Sequence, residues 1–361
     1  MKKISSYLLS IILFTCSCKA QQKITALKGT WITNVASDAL LSEKNIKETV
    51  ALCKQQGMNN LFVVVWNGGV TMYPSEVVES YIGIKQDTVY KGFDPIASIV
   101  KEAHEQGLLV HAWFEFGFSY AYKDSNSVWL NKYKHWIGKD VQQKPLQKNG
   151  FYWWNAMHPE VQSFMNKLVL ETITKYKFDG IQGDDRLPAM PAEGGYDAYT
   201  MALYKKETGV DAPSDCRESK WLQWKANQLS LFGKNLYNLV KKNRSNCIVS
   251  WSPSIYPWSK EQYLQDWPTW MKEGYADYII PQCYRYDLKG YEKVLHELKS
   301  QLTPEQMKRV FPGVLTSLGD GYLIKDELLQ QKIQLNRKLG FNGECFFYYE
   351  SLKKINQLYK N

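Results

Sequence analysis

The fold can be inferred from Phe178-Asp179-Gly180-Ile181-Gln182-Gly183-Asp184-Asp185-Arg186, an apolar run of strand length that ends in two carboxylates and an arginine. Alternation along a strand places Ile181 on one face and Gln182 and Asp184 on the other. In a parallel barrel the second face looks inward, so Asp184 would lie at the carboxyl end of the strand, where barrels carry catalytic groups. The alternative is a surface Asp-Asp turn that caps the next helix.

The same order of strand, loop and helix recurs along the chain. Eight apolar runs have the length of buried strands, at residues 29–35, 60–66, 108–115, 178–184, 247–252, 276–284, 309–315 and 342–348. Helical patterns lie between them, notably at residues 43–56, 95–106, 159–176, 218–243, 260–273 and 325–339, and a last helix is expected at 351–359. Such alternation is typical of a parallel sheet covered on both faces. We therefore predict an α/β fold, a single (β/α)8 or TIM barrel over residues 28–361.

The connections that follow the strands differ in length. Those after strands 2, 3 and 4 are long, at residues 67–92, 116–158 and 185–215, whereas those that lead into strands are short. Long loops on the carboxyl-end side are where a barrel builds its substrate cleft. We expect the cleft there.

A second carboxylate ends the third strand. Alternation through Leu108-Leu109-Val110-His111-Ala112-Trp113-Phe114-Glu115 groups His111, Trp113 and Glu115 on the inward face. Neighbouring strands lie roughly 5 Å apart, so Glu115 and Asp184 could flank one bond. A lone glutamate at a strand end is otherwise an exposed loop acid or an ion-pair partner.

Polar and aromatic side chains end the other strands. Flat amphipathic rings in a cleft suit the apolar faces of sugars, although the ordinary role of aromatic residues is core packing. The candidate substrate-binding residues are Asn34, Trp66, Asn67, His111, Trp113, Arg186, Trp251, Gln282 and Tyr284. Glu350 is assigned instead to the first turn of the last helix.

The first residues are typical of an export signal. Lys2 and Lys3 precede an apolar run at residues 7–14, which is too short for a permanent membrane span. The following Leu-Phe-Thr-Cys-Ser-Cys-Lys resembles the lipobox of bacterial lipoproteins. We expect residues 1–18 to be the signal, Cys18 to be lipidated, with Cys16 as the second choice, and residues 19–27 to be a tether. A cleaved signal with incidental cysteines is the alternative.

Charge and cysteine content limit the partners. The formal charge is +9, or +7 without Lys2 and Lys3, and the basic residues are scattered, which does not favour nucleic-acid binding. Five cysteines lie beyond the signal, with no Cys-x-x-Cys pair, and there are five histidines. These counts do not favour disulfides or a zinc site, so neither a metal nor a cofactor is expected.

Five ordered motifs resemble glycosyl hydrolase-like family 10, formerly a domain of unknown function. They are Lys28-Gly-Thr-Trp-Ile-Thr-Asn-Val35, Val64-Val-Trp-Asn-Gly-Gly-Val-Thr-Met-Tyr-Pro-Ser75, His111-Ala-Trp-Phe-Glu-Phe-Gly-Phe118, the stretch at 178–186 and Asp277-Tyr-Ile-Ile-Pro-Gln-Cys-Tyr284. The resemblance implies an exported bacterial TIM barrel related to glycoside hydrolases, some of which are linked to cleavage of peptidoglycan glycan strands.

The spacing Asp-Gly-x-x-x-Asp also looks like the strand-four motif of alpha-amylase-type barrels, whose final Asp is the nucleophile. Carried over, that role falls on Asp184. Those barrels place an acid/base Glu after strand five, and Ser250-Trp-Ser-Pro253 has none. Glu115 is therefore the first candidate for the proton donor and Asp185 the second.

These residues support a hypothesis for the reaction. Asp184 would be the nucleophile or base and Glu115 the acid of a glycosidase, with Asp185 and Arg186 tuning the charge. The expected partner is a polysaccharide, and the membrane would be reached only through the lipid anchor on the bacterial envelope. The alternatives are a glycan-binding lipoprotein without turnover, and a metal-dependent barrel hydrolase.

Overall fold

The computed structural model describes residues 26–319 and 321–359. Eight parallel strands form its central sheet: β1 Leu27–Ile32, β2 Asn60–Val64, β3 Leu109–Phe114, β4 Gly180–Gly183, β5 Ile248–Trp251, β6 Tyr278–Ile279, β7 Gly313–Leu315 and β8 Gly343–Phe347. Each strand pairs with its neighbour in chain order from β1 to β6, and β8 pairs with both β1 and β7. Parallel bridges from Ile279 to Val310 and from Gln282 to Gly313 join the β6 and β7 segments. The sheet therefore closes, and the predicted (β/α)8 barrel is confirmed.

Seven barrel helices surround the strands: α1 Glu43–Gln55, α2 Pro95–Glu105, α3 Pro159–Lys175, α4 Ser219–Asn243, α5 Trp267–Lys272, α6 Leu288–Ser300 and α7 Asp326–Leu339. Their starts follow ordinary capping chemistry, because Ser42, Asp94 and Asp287 each accept a backbone N–H of the first turn. After β8 the predicted helix at 351–359 is absent. The described chain has a 3₁₀ turn, Tyr349–Ser351, at the place where the helix was expected to begin.

The loops after β2, β3 and β4 contain structure of their own, as their predicted length allows. The β2 loop has a short hairpin, Trp66–Asn67 with Val70–Thr71, and a helix, Glu76–Ile82. The β3 loop has a three-stranded sheet of Ser119–Tyr122, Phe151–Trp153 and Gln147–Lys148, and a helix, Val128–Lys132. The β4 loop has a helix, Ala198–Thr208.

Two predicted elements are shorter than expected because of proline. The sixth strand is only Tyr278–Ile279, since Pro281 has no N–H for the sheet ladder. The predicted helix at 260–273 is two helices, Trp258–Tyr263 and α5, and Pro268 lies in the first turn of α5, where a proline is tolerated. A further short helix, Pro304–Met307, precedes β7.

The ends of the described chain bear on the predicted signal and tether. The predicted signal with Cys16 and Cys18, and the tether up to residue 25, lie outside the described residues. β1 begins at Leu27, which pairs with Gly343, so the last predicted tether residue already belongs to the barrel. Within residues 26–319 and 321–359, no helix has both the length and the apolar character that a membrane crossing needs.

Candidate active site

Asp184 follows β4 directly and lies at the mouth of the barrel with 4% of its surface exposed. Its Oδ1 accepts hydrogen bonds from Gln282 Nε2 at 2.8 Å and from the Asp185 backbone N–H at 2.7 Å. Its Oδ2 accepts the indole N–H of Trp113 at 3.1 Å. Donors from β3, from the end of β6 and from the chain after β4 thus hold both oxygens in one orientation.

Glu115 follows β3 and faces the same mouth. Its Oε2 accepts the hydroxyl of Thr33 and the side-chain amide of Asn67, each at 3.0 Å. The same amide of Asn67 also donates to Asn34 Oδ1 at 2.9 Å. The ends of β1 and β2 therefore orient the Glu115 carboxylate through a single oxygen.

Arg186 joins the carboxylates. Its Nη2 lies 3.5 Å from Asp184 Oδ2 and 3.9 Å from Glu115 Oε1, and its Nη1 lies 3.0 Å from Asp185 Oδ1. The Nε–H donates to the Glu115 carbonyl at 2.8 Å, and the guanidinium lies 4.7 Å from the centre of the Phe151 ring. One half-buried cation thus faces three carboxyl groups, which leaves an excess of negative charge in the site when all three are ionised.

Burial and this charge perturb the acids. Burial and then the Asp185 carboxylate raise the pKa of Asp184 well above its ordinary value, while the Arg186 guanidinium opposes them. Burial also raises the pKa of Glu115, and Arg186, Thr33 and Asn67 oppose that rise. Burial and the neighbouring carboxylates therefore favour a proton on Asp184 or Glu115 at a higher pH than usual.

A cleft of about 500 Å³ opens beside Glu115. We call it the side cleft; its lining includes Val35, Asn67, Glu115, Tyr120, Tyr122 and Phe151. Its volume lies within the range of about 300–1,000 Å³ that is usual for small-molecule sites. The β2 and β3 loops form most of its walls, in agreement with their predicted role.

Most predicted binding residues lie around the two acids. Asn67, Trp113, Arg186 and Gln282 contact a carboxylate directly, and Asn34 contacts one through Asn67. Tyr284 is half-buried against Phe347, with ring centres 5.3 Å apart. Burial and next the charge of Asp184 raise the pKa of Tyr284 well above its ordinary value.

Three predicted sugar-binding residues do not line the mouth, and this part of the prediction is wrong. Trp66 is fully buried against Trp154, and its N–H donates to the Gly117 carbonyl. Trp251 is fully buried between the barrel and Trp270 of α5. Their surfaces are covered by the protein itself, so a sugar cannot stack on them.

His111 is the third residue of this kind. It points into the barrel as predicted but lies in a deeper layer, in register with Gly180. Its ring stacks on Phe62 and its Nε2 lies 2.8 Å from Asn60 Oδ1, with none of its surface exposed. It fills the interior below the site.

Thr33, Phe151 and Tyr122 also belong to this region, although alternation and motif matching do not identify them. Thr33 lies next to Asn34 within the motif at residues 28–35, but it was not among the candidate residues. Phe151 and Tyr122 lie in the long β3 loop, in runs rich in aromatic residues, and nothing local distinguishes them from the packed rings nearby. The composition of this loop was the only available signal.

Two other sources of catalysis were considered from the sequence: an acid/base glutamate after strand five, and a bound metal ion. The residues after β5, Ser252 to Tyr256, include no carboxylate. Within the described part of the chain, no three His, Cys, Asp or Glu side chains are grouped so as to hold a metal ion. The expected absence of a metal stays a prediction.

Comparison with known proteins identifies the family. The sequence matches Glycosyl hydrolase-like 10 over residues 26–324. It is 23% identical to glycosyl hydrolase DigH of Escherichia coli K12, covering 82% of this chain and 80% of that protein. It is 22% identical to glycosyl hydrolase YngK of Bacillus subtilis, covering 99% of this chain and 75% of that protein.

A solved structure shares the fold. The glycoside hydrolase domain of PgaB (BpsB) from Bordetella bronchiseptica superposes with a TM-score of 0.68 at 14% identity, covering 91% of this chain and 95% of that domain. These comparisons confirm the prediction of a barrel of the glycosidase type. The chain belongs to the glycosyl hydrolase-like 10 family.

Proposed function

We propose that the protein hydrolyses glycosidic bonds of a bacterial envelope polysaccharide, with Asp184 and Glu115 as the reacting carboxyl groups. The observation that carries the proposal is their shared contact: one nitrogen, Arg186 Nη2, lies within 4 Å of an oxygen of each. Glycosidic cleavage generally needs two carboxyl groups on either side of the bond. The pair lies at the carboxyl end of the barrel, where such enzymes carry out their chemistry.

The hydrogen bonds assign the two roles. Within the described residues, the groups that contact the Asp184 oxygens are all donors, so a proton on this carboxyl would find no acceptor among them. Glu115 Oε1 lies 3.9 Å from Arg186 Nη2, beyond hydrogen-bond distance, and in the part of the chain that the structure describes no hydrogen bond holds this oxygen, so it can carry a proton. We therefore infer that Glu115 protonates the leaving oxygen and that Asp184 acts as the nucleophile or the base, with Asp185 tuning the charge.

The stereochemical outcome depends on the carboxyl separation. The two oxygens that contact Arg186 Nη2 are no farther apart than the sum of 3.5 and 3.9 Å. Retaining enzymes have carboxyl separations of about 5–5.5 Å and inverting ones about 6.5–9.5 Å, and this bound on one pair of oxygens is compatible with either outcome. NMR of the newly formed anomer distinguishes the two outcomes.

Peptidoglycan glycan strands are the leading substrate. Two observations support this substrate. The resemblance to the family implies relatives that are linked to cleavage of glycan strands, and the N-terminal sequence is typical of export to the envelope. The test is product analysis by mass spectrometry after incubation with peptide-free strands and a panel of other polysaccharides. New oligosaccharides from the strands support this substrate; products from another polymer only would replace it.

Variants test the acids in the same assay. Asp184→Asn and Glu115→Gln should each lower turnover by at least about 100-fold, because each removes one of the two carboxyl functions. Glu105→Gln on exposed α2 is the matched control and should leave turnover unchanged. Wild-type turnover in both site variants would refute the assignment.

A leaving-group series tests the specific role of Glu115. A glycoside with an acidic aryl leaving group needs no proton from the enzyme. Glu115→Gln should therefore retain far more activity on such a glycoside than on the polymer, whereas Asp184→Asn should lose both. Equal losses in Glu115→Gln on both substrates would contradict the role as acid.

Binding of glycans without turnover is the second candidate function. The observation that favours it is the lack of a carboxylate in the five residues after β5. Under this alternative, calorimetry would show glycan binding to the wild-type protein while no tested polymer gained reducing ends.

We also propose that the protein is exported and lipidated on Cys18, with Cys16 as the second choice. The support is the signal-like and lipobox-like sequence of the first residues. Mass spectrometry of the mature N-terminus should show a diacylglyceryl cysteine at position 18. Membrane association that persists in Cys18→Ala and disappears in Cys16→Ala would select Cys16 instead.

A further inference from the structure

The side cleft lies on one side of the two acids. Glu115 and Asn67 contribute to its lining, and Asp184, on the neighbouring strand, does not. A substrate that reaches from Asp184 past Glu115 would therefore continue into this cleft. The side cleft therefore lies on only one side of the bond that the two acids flank, the side of Glu115.

The chemistry of the side cleft suits a sugar ring. Tyr122 is 49% exposed, and its ring packs 4.8 Å from that of Phe151, so the two form an aromatic wall. Flat aromatic surfaces bind the C–H faces of pyranoses, and polar groups around them bind the hydroxyls. Ser127 and Asp124 supply such groups in the same lining.

Tyr120 gives independent evidence that the side cleft binds a polar ligand. It lines the side cleft with 1% of its surface exposed, and within the described residues its hydroxyl has no hydrogen-bond partner. A buried hydroxyl without a partner costs free energy, so a ligand or water that bonds to it is expected. A sugar hydroxyl would meet this need.

The direction of the substrate follows from the roles of the acids. The proton donor lies next to the leaving oxygen, and the nucleophile or base lies next to the anomeric carbon. The proposed function makes Glu115 the donor and Asp184 the nucleophile or base, so the side of Glu115 is the side of the leaving group.

We propose that the side cleft is a leaving-group subsite that holds the sugar on the far side of the cleaved bond, stacked on Tyr122 and Phe151. This inference rests on the proposed function and deepens it. It means that the substrate extends beyond the cleaved bond as a chain of sugars, and that the enzyme recognises its leaving-group part.

The test uses Tyr122→Ala, which removes an exposed ring outside the reacting group of residues. Its kcat/KM on peptide-free glycan strands should fall about tenfold, the size expected when one stacking contact is lost. Tyr122→Phe keeps the ring and should restore wild-type values. Tyr199→Ala removes a comparably exposed ring, 38% exposed, that does not line the side cleft, and should have no effect.

A glycosyl fluoride separates binding in the side cleft from chemistry. The fluoride is made from the sugar found at the new reducing end of the products, and its one-atom leaving group cannot occupy the side cleft. Tyr122→Ala should hydrolyse it as fast as wild type. An equal loss on fluoride and strands, or no loss on strands, overturns the subsite while leaving the proposed function standing.

Binding keeps the two proposals separate if turnover fails. Calorimetry with the strands and the Asp184→Asn protein measures affinity without cleavage. If wild type does not turn over, the proposed function is overturned. Weaker binding in Asp184→Asn/Tyr122→Ala than in Asp184→Asn would then still support a sugar subsite, and equal or absent binding would overturn it as well.

Discussion

The indole of Trp113 donates its N–H to Asp184, with 3.1 Å between Nε1 and Oδ2. Trp113 lies on β3 and Asp184 directly follows the adjacent parallel strand β4, and both side chains point to the same interior face. The indole is 2% exposed, so this hydrogen bond is shielded from water. Trp113 therefore binds the reacting group and not a sugar directly, and it fixes the direction in which Asp184 points.

Trp113→Phe should lower kcat while it changes KM little. The substitution keeps an aromatic ring in the interior but removes the donor to the carboxylate. A hydrogen bond to a charged group contributes about 1.5–3 kcal/mol, so we expect a decrease of roughly tenfold or more. Steady-state kinetics on the cleaved polymer provide the measurement. An unchanged kcat would show that Asp184 needs no such donor.

Arg186→Met should move the pH optimum upward. Arg186 lowers the pKa of both Asp184 and Glu115, so its removal raises both. The acidic limb of the profile reports ionisation of the nucleophile or base and the alkaline limb reports loss of the acid proton, so both limbs shift to higher pH. We expect a shift of about one pH unit or more.

The profile of kcat/KM against pH measures this shift. Arg186→Lys keeps a positive charge in place and should shift the optimum less than Arg186→Met. Arg217→Met is the control, since Arg217 pairs with Glu193 and, within the described residues, forms no ion pair with Asp184, Asp185 or Glu115. An optimum that stays in place, or moves to lower pH, would show that Arg186 does not set these pKa values.

Alternation along single strands predicted the two acids because it is a local property. Asp184 follows Gln182 with period two, and Glu115 follows Trp113 in the same way, so sequence alone places them on the inward face. Neighbouring strands in register then bring them together. Gly180 in the same stretch has a structural role, since a Cβ there would lie 2.3 Å from His111 Nδ1.

Depth and strand ends could not be predicted in the same way. His111 has the correct parity, but the depth of its layer depends on register with β4, a non-local quantity. β2 ends at Val64, so the backbone turns there and the side chain of Trp66 no longer follows the inward–outward alternation of the strand. Trp251 is two residues from Val249, so both side chains lie on the outer face of β5. Its position at a strand end is therefore no indication that it binds a sugar. Packing of the β3 loop decides which rings remain exposed.

Trp66→Phe and Trp251→Phe should destabilise the protein without changing its chemistry. Both indoles are fully buried away from the mouth, and a smaller ring leaves a cavity. We expect the free energy of unfolding to fall by about 1–3 kcal/mol, and kcat/KM per folded molecule to stay within about twofold. Denaturant unfolding and kinetics check both values. A selective loss of activity would place these rings at the substrate after all.

Acid should destabilise the protein in part through His111. Burial lowers the pKa of this imidazole from 6.5 to about 4, although the charge of Asp179 opposes the effect. As the pH falls below 6.5, His111 becomes protonated in the unfolded chain, whereas in the folded protein it becomes protonated only near pH 4. Stability from His111 is therefore complete above pH 6.5 and is lost as the pH falls through this window, by about 1.4 kcal/mol per pH unit.

His111→Gln removes this titration and should flatten the dependence of unfolding free energy on pH. The variant is expected to be less stable at neutral pH, because the stack on Phe62 is lost. The deciding quantity is the difference in slope, which should correspond to about one proton between pH 6.5 and 4. His296→Gln on exposed α6 is the matched control and should keep the wild-type slope. Carboxyl titrations contribute equally to both variants and to wild type. An unchanged slope in His111→Gln would therefore mean that the imidazole binds a proton as readily in the folded protein as in the unfolded chain.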